Sequence, residues 1–329
     1  MNIISNFKKK VRGKGLSVVF PEGNDERIIR AARILKDEDV AQPIVLGKPE
    51  QIKAAIKKAG VTLDGIKTIN PGQSDKLDAY IEKYIEGRDN ISVAVAKRMV
   101  IKPLFYGGMM VASGDADTAI GGVASATATL IQAGALTVGL AEGIRTISSY
   151  FLMVIPKFLG EGDKRFIYAD CAVNIDPTAE QLADIALASA ASARRILDEE
   201  PRVALLSFST KGSASAPSVD KVKEALEIVR ACEPELAIDG EFQADSAIVP
   251  RVAAKKVKGD SAVAGKANVI IFPNLDAGNI AYKLTQYMAN AQAVGPFLQG
   301  FAKPITDLSR GATVDEIVAT TALTLAQLL

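Results

Sequence analysis

A short apolar run, Leu16-Ser17-Val18-Val19-Phe20, stops at Pro21-Glu22-Gly23 and gives way to a segment with Ile28, Ile29, Ala32 and Leu35 at helical spacing. Such a run followed by a 3.6-residue period reads as strand, loop, helix. The pattern recurs. Pro43 to Leu46, Val203 to Ser207 and Val269 to Phe272 are further buried-strand candidates, each separated from the next by helical periodicity. Alternation of this kind predicts parallel strands with helices on both faces, because crossover helices must pack back onto the sheet. At 329 residues, 48% of them hydrophobic, the chain exceeds the usual size of one domain, so two are expected. The predicted class is α/β, with parallel or mixed sheets flanked by helices.

Local signals set the element boundaries. Asp176 before Pro177 has the N-cap and first-position order of a helix that would run through Leu182, Ile185, Ala186 and Ala190 to Leu197. Ser218 is read as opening another, carrying Val222, Leu226 and Val229. Ala124 to Pro156 is the longest apolar stretch, but Glu142 and Arg145 break it and it is rich in Gly, Ser and Thr. It fails as a membrane span and reads as buried helix and strand. Met1 to Phe20 lacks the apolar stretch and cleavage site of a secretory signal. A formal net charge of +1 gives no reason to expect a nucleic-acid partner, and Lys8-Lys9-Lys10 and Arg194-Arg195 read as solvated helix positions. Cys171 and Cys232 are far apart and there is no histidine, so two free thiols in a cytoplasmic protein are expected, with no metal site.

The segment Asp307-Leu308-Ser309-Arg310-Gly311 carries the chemistry. It sets a hydroxyl beside a guanidinium in a loop just ahead of a helix that begins near Thr313. A planar guanidinium binds phosphate through two parallel hydrogen bonds, and the hydroxyl can donate to the same anion or to a developing oxyanion. Without histidine a general base has to be a carboxylate, Lys, Cys or Tyr, which suffices for a nucleophile as acidic as a thiol. Glu316 has two readings. Thr313-Val314-Asp315-Glu316 has the spacing of a capping box, and the same placement holds a carboxylate one turn beyond Ser309 and Arg310.

Other segments have a plainer reading beside a chemical one. The loop Ser207 to Ser213 leaves the end of an apolar strand; Lys211 there is either a phosphate contact or an ordinary surface lysine. Asp239, Glu241 and Asp245 could approach a divalent ion, but a polar loop at a ligand-binding face or subunit contact is favoured. Gly259 to Ala267 is not a P-loop, since the glycine spacing is wrong and Ala267 replaces the metal-binding hydroxyl. Gly121-Gly122 lacks the third glycine of a dinucleotide fingerprint, and Gly13 and Gly15 precede their strand, so NAD and ATP sites are disfavoured.

Taken in order, these segments resemble the phosphate acetyl/butyryltransferase family over nearly the whole chain. The likeness lies in Phe20-Pro21-Glu22-Gly23 with Asp25-Glu26-Arg27, Ala169 to Asn174, Pro177 to Gln181, Ser207 to Ala214, and Asp239 to Asp245. It continues through Val263 to Asn268, Asn274 to Lys283, Gly295-Pro296, Leu298 to Gly300 and Asp307 to Gly311. The resemblance implies interconversion of acetyl-CoA plus phosphate with acetyl phosphate plus CoA, without metal or redox cofactor. It implies two α/β domains like those of the isocitrate and isopropylmalate dehydrogenases, with the active site in the interdomain cleft. Residues 1–145 with 299–329 would form a discontinuous first domain and 146–298 the second, in a homodimer. Ser309 would hydrogen-bond the reacting thiol or acyl oxygen, Arg310 would hold the phosphoryl group, and Glu316 stands where the family's carboxylate base, usually Asp, falls. Substrate contacts are implied for Arg88, Lys211, Ser213, Asn279 and Lys283.

Two positions depart from the family pattern. Gln132 and Tyr287 stand where many relatives have arginine, so two positive charges are missing from ligand positions. This leaves propionyl or butyryl transfer as an alternative of the same chemistry and a non-catalytic CoA or acyl-phosphate binder as an alternative of another class. An oxidoreductase on the related dehydrogenase architecture finds no nicotinamide site in the sequence.

Overall fold

The computed structural model describes residues 3–329; Met1 and Asn2, where the reading of the N-terminus begins, lie outside the described residues. The chain divides into two compact units, Met1–Glu142 with Phe301–Leu329, and Gly143–Gly300.

The first unit opens with α1 (Ile3–Val11), β1 (Ser17–Phe20), α2 (Glu26–Asp37), β2 (Gln42–Leu46), α3 (Pro49–Ala59) and β3 (Lys67–Ile69). It continues through α4 (Leu77–Ile85), α5 (Val93–Val100), α6 (Pro103–Ser113), β4 (Thr118–Gly121) and α7 (Thr127–Thr137). The second unit holds β5 (Ser148–Ile155), β6 (Lys164–Ala169), α8 (Ala179–Ile196), β7 (Val203–Leu206), α9 (Pro217–Cys232) and β8 (Ile238–Phe242). Then come α10 (Ala244–Ile248), α11 (Pro250–Lys256), β9 (Val269–Ile271), α12 (Leu275–Met288) and β10 (Gln292–Gln299). The chain returns to the first unit with β11 (Ile305–Asp307) and α13 (Val314–Ala326).

Strands of the first unit run in the order β3-β2-β1-β4-β11, and every neighbouring pair is parallel. Val18, Val19 and Phe20 are wholly buried, as are Ile28, Ile29, Ala32 and Leu35 of α2, so the apolar run and the helical period found in the sequence both mark buried faces. Parallel pairing has a second effect: the loops after β1, β4 and β11 leave the same edge of the sheet side by side. That carboxyl edge is where open α/β sheets bind ligands.

The second unit is a mixed sheet in the order β10-β5-β6-β9-β7-β8, antiparallel from β10 to β6 and parallel thereafter. Phe151, Phe166, Phe242 and Phe272 belong to its core. The Ala124 to Pro156 stretch contributes α7 and β5, and no helix among the described residues is long and apolar enough to cross a membrane.

Three local expectations are corrected. Helix α8 starts at Ala179 rather than Pro177, because Thr178 and Gln181 exchange the reciprocal bonds of a capping box, while Asp176 pairs with Lys221 at 2.6 Å. Helix α9 starts at Pro217, one residue ahead of Ser218, with proline at the position whose missing N–H costs nothing. Asp239 and Glu241 lie within the buried strand β8, not in a polar loop.

Candidate active site

Three strand-end loops of the first unit are joined by charged side chains. From the loop after β1, the buried Glu22 carboxylate accepts the backbone N–H groups of Gly122, Val123 and Ala124 at 2.8, 2.9 and 3.1 Å. It thereby closes the loop after β4 around an internal anion. Asp25 caps α2, accepting from the backbone N–H of Arg27 at 2.8 Å, and takes two further bonds from the Arg27 guanidinium. Burial raises the Asp25 carboxyl, but these bonds outweigh it and hold the group below its ordinary range.

The remaining donors of Arg27 reach the loop after β11. Its Nη1 donates to the carbonyls of Arg310 and Ala312 at 2.8 and 2.9 Å, and Nη2 reaches the carbonyl of Val123 at 3.2 Å. At the root of the same loop the N–H of Leu308 bonds the carbonyl of Gly121 at 2.7 Å. Beneath it lies Asp307, 2% exposed, with Oδ2 accepting from Thr127 Oγ1 at 2.5 Å and Oδ1 without a hydrogen-bond partner. Burial pushes the Asp307 carboxyl up to about 6; the Thr127 bond works against that shift and the nearby Glu22 reinforces it.

On this platform sit the residues that the motif singled out. Ser309 and Arg310 are exposed. Ser309 Oγ accepts only the local N–H of Gly311, at 3.2 Å, which leaves its own hydrogen for a ligand. Among the described residues the Arg310 guanidinium has no hydrogen-bond or ion-pair partner. Glu316 is in the first turn of α13, and its Oε2 accepts both the N–H and the hydroxyl of Thr313, at 2.8 and 3.0 Å. The capping box is therefore formed, and the local reading of Glu316 holds in full.

The other expected contacts in this unit differ in character. Arg88 donates to the carbonyls of Tyr84 and Leu136 at 2.5 and 2.7 Å and lies over the Tyr84 ring, 4.4 Å from its centroid. It ties the end of α4 to the end of α7. Gln132 is exposed on α7, five residues beyond Thr127.

In the second unit, Lys211 pairs with Asp239, donates to the carbonyl of Gly240 at 2.7 Å and covers the Phe242 ring. It is thus neither a free phosphate donor nor an ordinary surface lysine. Ser213 Oγ accepts the N–H of Thr210 at 2.9 Å, closing the loop on itself. The acidic residues nearby are matched: Asp239 also meets Arg230 and Ser261, Glu241 meets Ser209 and Gly212, and Asp245 meets Lys256. Asn279, Lys283 and Tyr287 recur every four residues along α12 and share one stripe. Asn279 donates to the Cys171 carbonyl at 3.1 Å, Lys283 lies 5.1 Å from the Tyr282 ring centroid, and Tyr287 is 81% exposed. Cys171 itself is wholly buried, and burial, with Asp170 adding, raises its thiol well above the ordinary value.

Sequence reasoning gave no role to Glu22, Asp25, Arg27, Thr127 or Asp307. The available signal was the density of charge in Glu22 to Arg27 directly after a buried strand, where solvation alone is a poor account of it.

A parallel sheet that carries on its carboxyl edge an exposed hydroxyl and a guanidinium unpaired among the described residues defines an α/β protein with a strand-end loop placed where such sheets bind ligands. The family model for phosphate acetyl/butaryl transferase matches residues 2–325, and the chain belongs to that family. It is 40% identical to a phosphate acetyltransferase of Bacillus subtilis (strain 168), over 100% of this chain and 99% of the relative. A crystal structure of a phosphotransacetylase from Streptococcus pyogenes superposes with a TM-score of 0.92 at 41% identity, covering 99% of this chain and 97% of that one. The fold alone extends to a putative 4-hydroxythreonine-4-phosphate dehydrogenase from Salmonella typhimurium, with a TM-score of 0.56, 13% identity and coverage of 95% and 99%. The dehydrogenase-like α/β architecture implied by the resemblance is thereby supported.

Proposed function

We propose that this chain is a phosphate acetyltransferase that interconverts acetyl-CoA plus phosphate with acetyl phosphate plus CoA. The observation that carries the reading is the Arg310 guanidinium, exposed and without a protein partner among the described residues, beside a serine hydroxyl free to donate. The full-length likeness to named phosphate acetyltransferases supports the same activity.

In the proposed mechanism CoA and acetyl phosphate are bound together. Glu316 takes the thiol proton on Oε1, since Oε2 is engaged by Thr313. The thiolate sulfur forms a bond to the acetyl carbon, the carbon–oxygen bond to phosphate breaks, and phosphate leaves with the electron pair, its charge held by Arg310. Ser309 donates to the carbonyl oxygen as negative charge develops there. Positioning and oxyanion stabilisation supply most of the acceleration, because a thiol needs little activation and phosphate leaves readily. No step calls for a metal or redox cofactor. A double-displacement route through Cys171 or Ser309 is the alternative to direct transfer; the complete burial and raised thiol of Cys171 disfavour its Cys171 branch, and acetylated enzyme formed from acetyl phosphate without CoA would favour the route.

Arg88, Gln132, Lys211, Ser213, Asn279, Lys283 and Tyr287 are proposed substrate contacts. For Arg88 and Lys211 that role requires exchanging protein partners for substrate, whereas Lys283 and Tyr287 are exposed. A cytoplasmic homodimer is part of the proposal; the exposed Ile280, Leu284 and Met288 of α12 support an apolar contact there. Thioester formation from CoA and acetyl phosphate by purified protein tests the activity directly. Ligand-induced thermal stabilisation without turnover would replace it with a binding role.

A further inference from the structure

We infer that Arg27 is a positioning residue for this reaction, holding the Ser309–Arg310 segment by its backbone while touching no substrate. The inference rests on the acetyltransferase reading above.

Between Leu308 and Thr313 the loop has few restraints of its own. The N–H of Ala312 bonds the carbonyl of Ser309 at 2.9 Å, and the N–H of Gly311 bonds Ser309 Oγ. Both bonds are internal to the loop. Among the described residues, the two bonds from Arg27 Nη1 are the only hydrogen bonds that reach residues 309–312 from outside it. The carbonyl that Arg27 grips at Arg310 belongs to the residue proposed to hold phosphate. Moving that carbonyl moves the guanidinium.

The grip is well defined because the guanidinium is fully used. Its five donors meet five acceptors: Nε to Asp25 Oδ1 at 3.0 Å, Nη2 to Asp25 Oδ2 at 2.8 Å and to Val123, and Nη1 to Arg310 and Ala312. Asp25 fixes the plane of the fork, and as the N-cap of α2 it is itself anchored to a buried helix. The result is a clamp across the loops after β1, β4 and β11. Lysine keeps the charge but offers three donors from one point, so it cannot span the same acceptors.

The test is steady-state kinetics of Arg27→Lys and Arg27→Ala beside wild type, with CoA and acetyl phosphate varied separately. Both variants are expected to lose roughly 100-fold in kcat with acetyl phosphate while KM for CoA moves by no more than about threefold. Added guanidinium or methylguanidinium should restore part of the Arg27→Ala loss saturably, and ammonium should not. If Arg27→Ala fails to fold, Arg27→Lys and Asp25→Asn carry the test, with Asp25→Asn losing less than Arg27→Lys. Folded variants with kcat near wild type would overturn the inference, as would a loss matched by lowered thermal stability and unrescued by guanidinium. An inactive wild type would instead remove the acetyltransferase reading on which the inference stands.

Discussion

Gly122 lies directly against Asp307: a Cβ on Gly122 would fall 2.3 Å from Asp307 Oδ1 and 2.6 Å from the Leu308 carbonyl oxygen. Gly122 also has φ of +111°, a conformation that side chains resist. Gly122, the first residue past β4, thus leaves room for the buried carboxyl under the Ser309–Arg310 loop. Gly122→Ala is expected to cost at least about 2 kcal/mol, from steric overlap and strained backbone together. Urea denaturation measures it; a loss under about 0.5 kcal/mol would mean that the loop adjusts freely.

Asp307 makes stability depend on pH in a direction opposite to that of most carboxylates. Its folded value near 6 exceeds the ordinary 3.8, so the native state holds the proton more tightly than the unfolded chain. Stability from this group is therefore full below the unfolded value and is lost as pH rises through 6, by on the order of 2–3 kcal/mol. Asp307→Asn stays neutral, so its melting temperature relative to wild type should rise as pH increases from about 4 to the folded value of about 6 and level off above it. An offset that does not change with pH would show that Asp307 titrates normally.

Arg310→Gln should lower kcat/KM for acetyl phosphate by at least about 100-fold, by analogy with loss of an oxyanion donor. Because the guanidinium has no protein partner among the described residues, the melting temperature should hardly move. Near wild-type turnover in folded protein would remove Arg310 from its assigned role.

The two readings of Glu316 separate in a pair of variants. Glu316→Gln keeps an acceptor for the Thr313 N–H and should fold as wild type, whereas Glu316→Ala opens the box and should cost about 1 kcal/mol. If Glu316 is the base, both variants lose turnover and the acid limb of the pH–rate profile disappears. Full activity in Glu316→Gln would leave only the cap.

The sequence revealed what depends on neighbours along the chain. Strand β1 and helix α2 were legible because burial and period operate within a few residues, and the Thr313–Glu316 box because it closes over three. The start of α8 was misplaced where two N-cap signals, Asp176 and Thr178, stand two residues apart and only the second completes a reciprocal pair. Strand β8 reads as a loop in the sequence because Asp239 and Glu241 look like surface residues until Lys211, Arg230, Ser261 and Ser209 satisfy them from elsewhere. The site platform was the least legible part. Glu22 meets Gly122 across 100 residues and Arg27 meets Arg310 across 283, separations that no local pattern records.

The central claim is acyl transfer between CoA and phosphate, and thioester formation from CoA with acetyl, propionyl or butyryl phosphate, with no metal added, tests it most directly. Rapid turnover with acetyl phosphate is the predicted result, and it would show that Gln132 and Tyr287 are tolerated in place of arginine. Folded protein that is stabilised by CoA yet turns over none of the three would contradict the account.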